Sequence, residues 1–371
     1  MIEILHIINS LEIGGAQKLL VDILPLMNNE KMKVSLLVLK SVDSSFYTKI
    51  KNSGIEVFSL NSGSYHNPFI IVRLIPFLRK FSIVHVHLFP SLYWVALANI
   101  FVSTKLIFTE HSTNNRRRGK VYFSFIERYV YRQYSKVISI SPQTQLILKQ
   151  WLKVEGIDSR FIQIDNGIKL NDFLPSNRTI NVADASQFSK IVLMISRFSV
   201  QKDQETVIRA IPYVPVDGVL FAFAGSGPTL EKCKQLAYEL GVSDKVVFWG
   251  QRTDIPDLIN ASYIGVQSSL WEGFGLTAVE FMAGNKPIVA SDVAGLKQVV
   301  EDAGLLFPVG DEKRLAEAIT HLLVDKQYYS QISAKCWDRA KRYDIHHMVE
   351  KYTKLYTCLL YTSPSPRDIS G

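Results

Sequence analysis

The segment KIVLMISRFSVQKDQETVIRAI, residues 190–211, decides the fold class. It opens with the apolar run IVLMI, whose β-branched and long aliphatic side chains are typical of a strand buried on both faces. A short polar loop follows, and residues 203–211 then carry apolar side chains at helical spacing. A buried strand that leads directly into a helix is the repeating unit of parallel α/β architecture.

The same unit recurs on both sides of this segment. The strands predicted before it are EILHIIN, KVSLLVL, IEVFSL, IVHVHL, KLIFTEH, KVISIS and FIQID, with helices such as 16–28 and 122–134 between them. The strands predicted after it are VLFAFAG, KVVFWG, YIGVQSS and KPIVASD, with helices such as 276–283. The two series predict two doubly wound domains with parallel sheets, whose ligands bind at the carboxyl ends of the strands.

The polar, weakly periodic stretch LPSNRTINVADASQFS separates the two series and is the predicted linker. We therefore predict an N-terminal domain at 1–173, a linker at 174–189 and a C-terminal domain at 190–342. A final helix is predicted at 343–357, with packing back on the N-terminal domain as one option. From Cys358 onward the chain reads CLLYTSPSPRD, which resembles translated sequencing-adapter DNA. We set 358–371 aside from the functional argument.

Composition favours a protein of the cytoplasm. The chain of 371 residues is long enough for two domains, and its hydrophobic fraction of 47% can fill two cores. We find neither a signal peptide nor an apolar run of the roughly 18 residues that a transmembrane helix requires. The three cysteines, Cys233, Cys336 and Cys358, show no metal-ligand spacing, and their small, odd number suggests a reducing compartment without a disulfide framework.

The net charge of +8 includes one basic cluster, formed by Arg116, Arg117, Arg118 and Lys120. Such a cluster attracts anionic lipid, and association with the inner face of the cell membrane is one interpretation. A solvated loop is the other interpretation, and the two stay open. No nucleic-acid-binding motif accompanies the cluster, so we predict no nucleic-acid partner.

The stretch SSLWEGFGLTAVEFMAGNKPIVASD, residues 268–292, carries a second signal. Two glycines make a flexible connection after a strand, and the helix that begins near Leu276 offers unpaired backbone N–H groups to an anion. Glu272 precedes this helix and Glu280 lies in its second turn, so two carboxylates could hold different hydroxyl groups of one ligand. From these residues alone, Glu280 could equally be an exposed helical carboxylate.

This stretch resembles the E-x7-E motif of retaining glycosyltransferases with the GT-B fold, and the likeness extends to the flanking glycines, the strand 286–292 and Gly295. By this resemblance the chain is identified as a member of glycosyltransferase family 4 over about residues 1–343. The resemblance implies two Rossmann-like domains that face each other across a cleft. It also implies that Glu272 lies beside the donor sugar and that Glu280 holds the nucleotide ribose. The implied donor-binding residues between them are Gly273, Phe274, Gly275 and Leu276.

Two cations follow the strand quoted first. Arg197 and Lys202 could neutralise a diphosphate and stabilise the charge that develops on a leaving nucleoside diphosphate. Two surface cations are the alternative. The pair resembles the R-x4-K diphosphate clamp of the family, and we predict that both residues, together with Glu272, are catalytic.

Glycine loops supply further candidates for donor binding. Gly14 and Gly15 follow the first strand, do not form a dinucleotide fingerprint, and resemble the family's loop that closes on the donor diphosphate. Gly225 begins a G-x-G-P turn, for which a tight-turn role and a nucleotide contact both stay open. Gly250 and Arg252 resemble the segment that borders the donor base.

Histidines and an asparagine mark the N-terminal domain. His85 and His87 alternate along one strand and therefore share a face, as core residues or as acceptor-side groups. His111 follows Glu110 at a strand end and resembles the family's E-H motif, whose histidine approaches the reacting sugar, so we predict that His111 is catalytic. Glu110 is an acceptor-side candidate that could either orient His111 or contact the acceptor. Asn166 lies in a segment that resembles the family's N-G-[IV] hinge, with a contact to the cleft as a secondary role.

No Asp-x-Asp motif occurs, so we expect no metal and no cofactor. We predict a retaining, metal-independent glycosyltransferase that moves a sugar from a nucleoside diphosphate sugar to a lipid-linked or polysaccharide acceptor, in cell-surface polysaccharide synthesis. A sugar-nucleotide epimerase or phosphorylase-like enzyme of the same fold is one alternative, and a non-catalytic sugar-nucleotide-binding protein is another. The sequence does not assign the sugar, the base, the acceptor, the linkage or the oligomeric state.

Overall fold

A computed structural model describes residues 1–12, 14–113, 117, 120–174 and 188–361. The chain divides into two compact units, of which the first holds Met1–Gly167 and the segment from Ile345 onward, and the second holds Ile168–Asp344. Most of the predicted linker, residues 175–187, lies outside the described residues, as do Arg116, Arg118 and residues 362–371.

The first unit contains a parallel sheet of seven strands in the order β3-β2-β1-β4-β5-β6-β7. Its strands are β1 (Ile2–Ile8), β2 (Met32–Val38), β3 (Glu56–Ser59), β4 (Ile83–His87), β5 (Lys105–Glu110), β6 (Lys136–Ser139) and β7 (Phe161–Gln163). Its helices are α1 (Gly15–Met27), α2 (Ser45–Asn52), α3 (Ile70–Lys80), α4 (Ser91–Asn99), α5 (Val121–Arg132), α6 (Pro142–Leu152) and α14 (Ile345–Tyr361).

Side chains alternate between the two faces of the first sheet and so contribute to two separate hydrophobic cores. On β1, Ile4 and Ile8 join the cluster that α1 and α14 cover, whereas Leu5 and Ile7 join the cluster under α3, α4, α5 and α6. Side chains of successive strand residues point to opposite faces, so a continuous apolar run is required when helices cover both. The apolar runs predicted as strands meet this requirement.

Helix α14 belongs to the first unit. Met348, Tyr352 and Tyr356 are buried on it and pack in the same cluster as the apolar face of α1. The helix ends at Tyr361, beyond the predicted limit at 357, and so continues into the segment that we set aside. Within that continuation Leu359 is buried, and its carbonyl accepts a hydrogen bond from Lys105 Nζ at 2.5 Å.

The second unit contains a parallel sheet of six strands in the order β10-β9-β8-β11-β12-β13. Its strands are β8 (Lys190–Ile195), β9 (Val219–Ala224), β10 (Val246–Gly250), β11 (Ile264–Gln267), β12 (Ile288–Ser291) and β13 (Leu305–Phe307). Its helices are α7 (Gln204–Ala210), α8 (Leu230–Glu239), α9 (Ile255–Ala261), α10 (Leu276–Ala283), α11 (Ala294–Val300), α12 (Glu312–Val324) and α13 (Lys326–Ala340). Strand β13 was not predicted.

The compact units do not coincide with the predicted domain limits at 173 and 342. The second unit already begins at Ile168, whose N–H donates to the carbonyl of Tyr343 at 2.9 Å. Phe173 is buried within this unit, on a short 3-10 turn that packs against α9 and α10. The burial of Ile168 and Phe173, together with this backbone hydrogen bond, ties residues 168–173 to the second unit. Among the described helices, none is both long and apolar enough to span a bilayer.

Candidate functional site

The loops after β8 and β11 lie side by side in the second unit. The chain runs from β8 to β9 and β10 on one side, and later places β11, β12 and β13 on the other. Leu270 N–H donates to the Gln201 carbonyl at 2.8 Å, and Gln201 Nε2 donates to the Trp271 carbonyl at 3.0 Å. In doubly wound sheets this switch in strand order is where ligands bind.

Lys202 and Glu272 meet at this switch point. Lys202 Nζ donates a hydrogen bond to Glu272 Oε2, and the two side chains are only 20% and 14% exposed. The second carboxylate oxygen of Glu272 accepts a hydrogen bond from the N–H of Gly273 at 3.1 Å. The structure therefore brings together a cation and a carboxylate that the sequence placed on separate motifs.

Glu280 projects from α10, which begins after Gly275 in a left-handed conformation with φ +92°. Its side chain is buried, with the residue only 5% exposed, so it is not an exposed helical carboxylate. Of the neighbouring motif residues, Gly273 and Gly275 are buried, Leu276 is partly buried, and buried Phe274 packs edge-on against Tyr343.

The carbonyl of Glu272 lies against Gly295 of α11. A Cβ atom on Gly295 would stand 2.2 Å from this oxygen, closer than any side chain tolerates. The glycine therefore allows the backbone that carries Glu272 to approach α11 closely. This contact accounts for the glycine that the sequence pattern singled out after strand 286–292.

The remaining predicted donor residues of the second unit occupy the adjacent loops. Arg197 is exposed, and its side chain has no hydrogen-bond or ion-pair partner within the described parts of the chain. A Cβ on Gly225 would lie 1.9 Å from the Ser196 carbonyl, which makes a close backbone approach its observed role. Gly225 N–H also donates to the carbonyl of Gly250 at 2.7 Å.

Arg252 is engaged by a neighbouring carboxylate. Its Nε and Nη2 donate to the two oxygens of Asp254 at 2.8 and 2.5 Å. These hydrogen bonds hold the pKa of Asp254 below its ordinary value. A contact between this guanidinium and a ligand would have to compete with a bidentate ion pair.

The first unit has its own switch point, between β1 and β4. Asn9 joins the two loops there: its Oδ1 accepts hydrogen bonds from Ser91 N–H and Oγ at 3.2 and 2.7 Å, and its Nδ2 donates to the Phe89 carbonyl at 2.6 Å. The predicted glycines lie nearby in sequence, where extended Gly14 precedes α1 and Gly15 is its first residue.

Four histidines are in contact in the first unit. His6 on β1 stands opposite His85 on β4 in the strand register, and the rings of His85 and His87 lie 4.3 Å apart on the common face that the sequence predicted. His87 Nδ1 is 3.1 Å from Nε2 of His111, which is partly exposed. The predicted residues His85, His87 and His111 thus belong to one cluster.

Burial keeps this cluster neutral. It lowers the pKa of His6 to about 3 and of His111 to about 4, and it holds those of His85 and His87 well below their ordinary values. One ring nitrogen each of His6, His85 and His87 lies within 4.8 Å of the others, a donor set that zinc accepts. All six nitrogens of these three rings, however, already take part in hydrogen bonds.

Glu110 and Asn166 are both buried. Glu110 accepts hydrogen bonds from Tyr131 Oη at 2.9 Å and from Ser112 N–H at 3.3 Å, so it holds the loop after β5 in place. Asn166 is 4% exposed, and its Oδ1 is a buried acceptor without a partner among the described residues.

The structure does not support Arg117 as a lipid-binding residue, because this side chain is paired inside the first unit. Its side chain is 13% exposed, and Nε donates to the buried Glu127 at 2.5 Å. Tyr93 Oη and Trp151 Nε1 donate to the same carboxylate at 2.9 and 2.5 Å. A charge that is paired in this way is not available to a membrane surface, whereas Lys120 is exposed.

The sequence did not single out three residues that organise these sites: His6, Tyr356 and Glu127. His6 had a visible signal, because it interrupts an apolar strand as His85 and His87 do in IVHVHL. Glu127 was visible only as a carboxylate on the helix after a basic cluster. Tyr356 had no signal, since its partner His85 is 271 positions away.

Two parallel sheets with flanking helices define the Rossmann-like class. Two family models match the chain, "Glycosyl transferases group 1" at 178–338 and "Glycosyltransferase Family 4" at 13–172. The chain belongs to glycosyltransferase family 4 and has the GT-B fold.

Individual relatives agree with this membership. The lipopolysaccharide core biosynthesis mannosyltransferase LpsB of Rhizobium meliloti is 30% identical over 42% of this chain and 47% of its own length. The phosphatidyl-myo-inositol mannosyltransferase of Mycobacterium leprae is 24% identical over 92% of both chains. The crystal structure of Anabaena HepE in complex with UDP and glucose has a TM-score of 0.84 at 22% identity and covers 96% of this chain and 100% of HepE. The chain spans about half the length of the first curated relatives that it matches.

Proposed function

We propose that this protein transfers a glycosyl group from a nucleoside diphosphate sugar to a hydroxyl acceptor. The observation that carries the proposal is the ion pair of Lys202 with Glu272 at the switch point of the second sheet. The buried carboxylate of Glu280 follows on the next helix, where a ribose hydroxyl pair would bind. HepE, which shares the fold, has been crystallised with UDP-glucose.

Glycosyl transfer requires positive charge beside the leaving diphosphate, which gains negative charge as it departs. Lys202 and exposed Arg197 would neutralise the diphosphate as the bond between sugar C1 and the diphosphate oxygen breaks. The acceptor oxygen would bond to C1 on the same face, and its proton would pass to the departing diphosphate. We propose retention because the donor-site motif resembles that of retaining glycosyltransferases. We propose attack on the same face, rather than a covalent intermediate, because we assign no residue of the donor site as a nucleophile. The two cations supply the charge, so no metal is required.

The proposed acceptor is lipid-linked, at the inner face of the cell membrane. Helix α5 supports this assignment, because Tyr122, Phe125, Ile126 and Tyr129 follow helical spacing and are between 46% and 63% exposed. Lys120 and Arg132, at its two ends, are also exposed. An apolar stripe with flanking basic residues is typical of a helix that lies in the membrane interface.

The names of two relatives support a lipid-linked acceptor in glycan synthesis. LpsB is named for lipopolysaccharide core biosynthesis. A relative from Escherichia coli, 21% identical over 96% of this chain, is named as a galactosyltransferase that acts on GlcNAc-diphosphoundecaprenol. By analogy we propose a role in the synthesis of a cell-surface polysaccharide.

A thermal-shift screen across nucleotide sugars tests the proposal, because a ligand that binds only the native state raises its stability. We expect one nucleoside diphosphate sugar to raise the Tm in the presence of a chelator. NMR of the product formed with a lipid-linked acceptor should then show the anomeric configuration of the donor. Inversion, or loss of activity in the chelator, would contradict the mechanism.

The same experiment separates the alternatives. An epimerase would convert the sugar nucleotide without any acceptor, and a phosphorylase-like enzyme would need phosphate. A non-catalytic binding protein would bind the donor tightly and leave it unchanged with every acceptor tested.

A further inference from the structure

Seven side chains of the first unit form one continuous line of hydrogen bonds, which we call the histidine chain. It begins at the partly exposed His111 and ends on α14; its members in order are His111, His87, His6, Tyr356, His85, Thr109 and Tyr352. All members except His111 are at most 1% exposed. The histidine chain therefore joins a predicted catalytic residue to the C-terminal helix through the core.

The links nearest His111 are between imidazole nitrogens. His87 Nδ1 lies 3.1 Å from His111 Nε2, and His87 Nε2 lies 3.0 Å from His6 Nδ1. His6 Nε2 then lies 3.4 Å from the hydroxyl of Tyr356. His87 and His6 thus each form one hydrogen bond through each ring nitrogen, one to either neighbour in the histidine chain.

The links on the far side involve hydroxyl groups. Tyr356 Oη is 2.6 Å from His85 Nδ1, and His85 Nε2 is 2.7 Å from Thr109 Oγ1. The last link joins Thr109 Oγ1 to Tyr352 Oη over 3.5 Å. Within the described residues, Tyr352 Oη has no other partner.

The number of protons fixes the direction of these bonds. Each of the seven neutral groups carries one N–H or O–H, but the histidine chain has six links, so one hydrogen remains unused. If the bonds run toward Tyr352, or converge on the hydroxyl of Tyr356 or Thr109, the leftover hydrogen is a buried O–H without an acceptor in the histidine chain, which is costly. A neutral imidazole inside the histidine chain cannot hold the leftover hydrogen, because it cannot accept at both nitrogens. If every group donates toward His111, the leftover hydrogen is the Nδ1–H of a partly exposed residue and can reach water or a ligand.

We propose that the histidine chain holds His111 as the Nδ1–H tautomer, with His87, His6 and Tyr356 as positioning residues. The accessible nitrogen of His111 is then a hydrogen-bond donor and cannot accept a proton from a substrate. If the proposed function holds, on which this step rests, the Nδ1–H tautomer makes His111 a hydrogen-bond donor to an oxygen of the sugar substrate and not a general base. The C-terminal helix becomes part of the catalytic apparatus through Tyr356.

This direction also argues against a metal in the cluster. A metal would take ring lone pairs of His6, His85 and His87, each of which the histidine chain uses to accept a hydrogen. The ring nitrogens of these three histidines are therefore all hydrogen-bonded within the histidine chain.

Nitrogen NMR of the full chain labelled with ring-15N histidine, without substrate at pH 7.5, tests the proposal directly. We expect a protonated Nδ1 and an unprotonated Nε2 in His111, His87, His6 and His85, assigned by single substitutions. A protonated Nε2 on His111, or stoichiometric metal in the purified protein, would overturn it. Because no substrate is present, the result does not depend on glycosyl transfer; correct tautomers in a protein without transferase activity would refute the proposed function alone.

Tyr356→Phe tests whether α14 sets the tautomer. The substitution leaves His6 Nε2 without a partner in either direction, so we expect His111 to populate both tautomers. Tyr134→Phe is the matched control, because Tyr134 is equally buried, donates to the Leu92 carbonyl at 2.6 Å, and lies in the other core of the same sheet. Unchanged His111 signals in Tyr356→Phe, or equal changes in both variants, would exclude Tyr356 as a positioning residue. If Tyr356→Phe does not fold, the measurement on the unsubstituted protein still decides the direction.

Discussion

The ammonium group of Lys202 donates a hydrogen bond to the carboxylate of Glu272, although the two residues are 70 positions apart in the sequence. Each charge therefore has a partner before any ligand binds. A diphosphate that binds beside Lys202 would share this cation with Glu272, so binding of the leaving group is coupled to the position of the carboxylate.

A double-mutant cycle on this pair should show strong coupling. We expect Lys202→Met and Glu272→Gln each to lower kcat/KM by about 100-fold to 1,000-fold, the usual effect of removing one preorganised charge from a site. The double variant should lose much less than the product of the two, because each single change already removes the same ion pair. Steady-state kinetics with the donor measures this, and Lys232→Met, which removes an exposed lysine at 69% exposure, is the control expected to have little effect. Independent, multiplicative losses would contradict the coupling.

Glu280→Gln should weaken donor binding through the ribose. The carboxylate is buried, and hydrogen bonds to charged groups contribute about 1.5–3 kcal/mol, so we expect affinity for a ribonucleoside diphosphate to fall about 10-fold to 100-fold. The 2′-deoxy ligand lacks one of the hydroxyl groups concerned and should lose far less. Calorimetric titration with both ligands makes the comparison, and an equal loss for the two would assign Glu280 a purely structural role.

The sheets could largely be predicted from the sequence because strands covered by helices on both faces require continuous apolar runs. Strand β13, Leu305–Phe307, escaped prediction since three residues are too few to show a pattern. The boundary at Ile168 also escaped, because it depends on where Phe173 is buried and not on local polarity.

The candidate site residues could be predicted only as separate motifs. Local patterns located Lys202 and Glu272, but their contact spans two loops and could not be derived from either. Arg117 shows the opposite failure: within a run of basic residues it resembles a surface charge, yet a buried carboxylate on α5 holds it. Contacts between distant side chains follow from the packing of whole elements, which the sequence specifies only indirectly.

Gly295→Ala should distort the loop that carries Glu272. The new Cβ would meet the Glu272 carbonyl at 2.2 Å, and overpacking of this kind usually costs about 1–3 kcal/mol. We expect a lower Tm together with a reduced kcat. Gly63→Ala is the control, since its Cβ would meet nothing within 4 Å, and thermal unfolding of both variants provides the test. If the two substitutions had equal effects, the close approach would be unimportant.

Removing two aromatic side chains from α5 should reduce membrane binding. We expect the double variant Phe125→Ser and Tyr129→Ser to bind anionic vesicles more weakly, while its affinity for the nucleotide sugar in solution stays unchanged. Tyr238→Ser, which removes an aromatic ring that is 74% exposed on α8, is the control for loss of apolar surface elsewhere. Vesicle sedimentation at low and high salt also separates the apolar contribution from the screened contribution of the basic residues. Equal binding of all three proteins would remove α5 from the proposal.

The buried histidines should make the protein sensitive to mild acid. Burial holds the pKa of His6 at about 3 and those of His85 and His87 well below 6.5, the ordinary value that they regain on unfolding. Below about pH 6.5 the unfolded chain therefore binds protons that the folded chain does not, and the free energy of unfolding falls as the pH falls. Each such histidine contributes a slope that approaches about 1.4 kcal/mol per pH unit.

Urea unfolding between pH 7.5 and pH 5 measures this slope in the range where most carboxylates remain ionised. His66→Gln is the control, because the His66 side chain is exposed and lies outside the histidine chain. A free energy of unfolding that stays constant across this range would mean that the cluster takes up protons while folded. That result would also remove the neutral state on which the proton count for His111 depends.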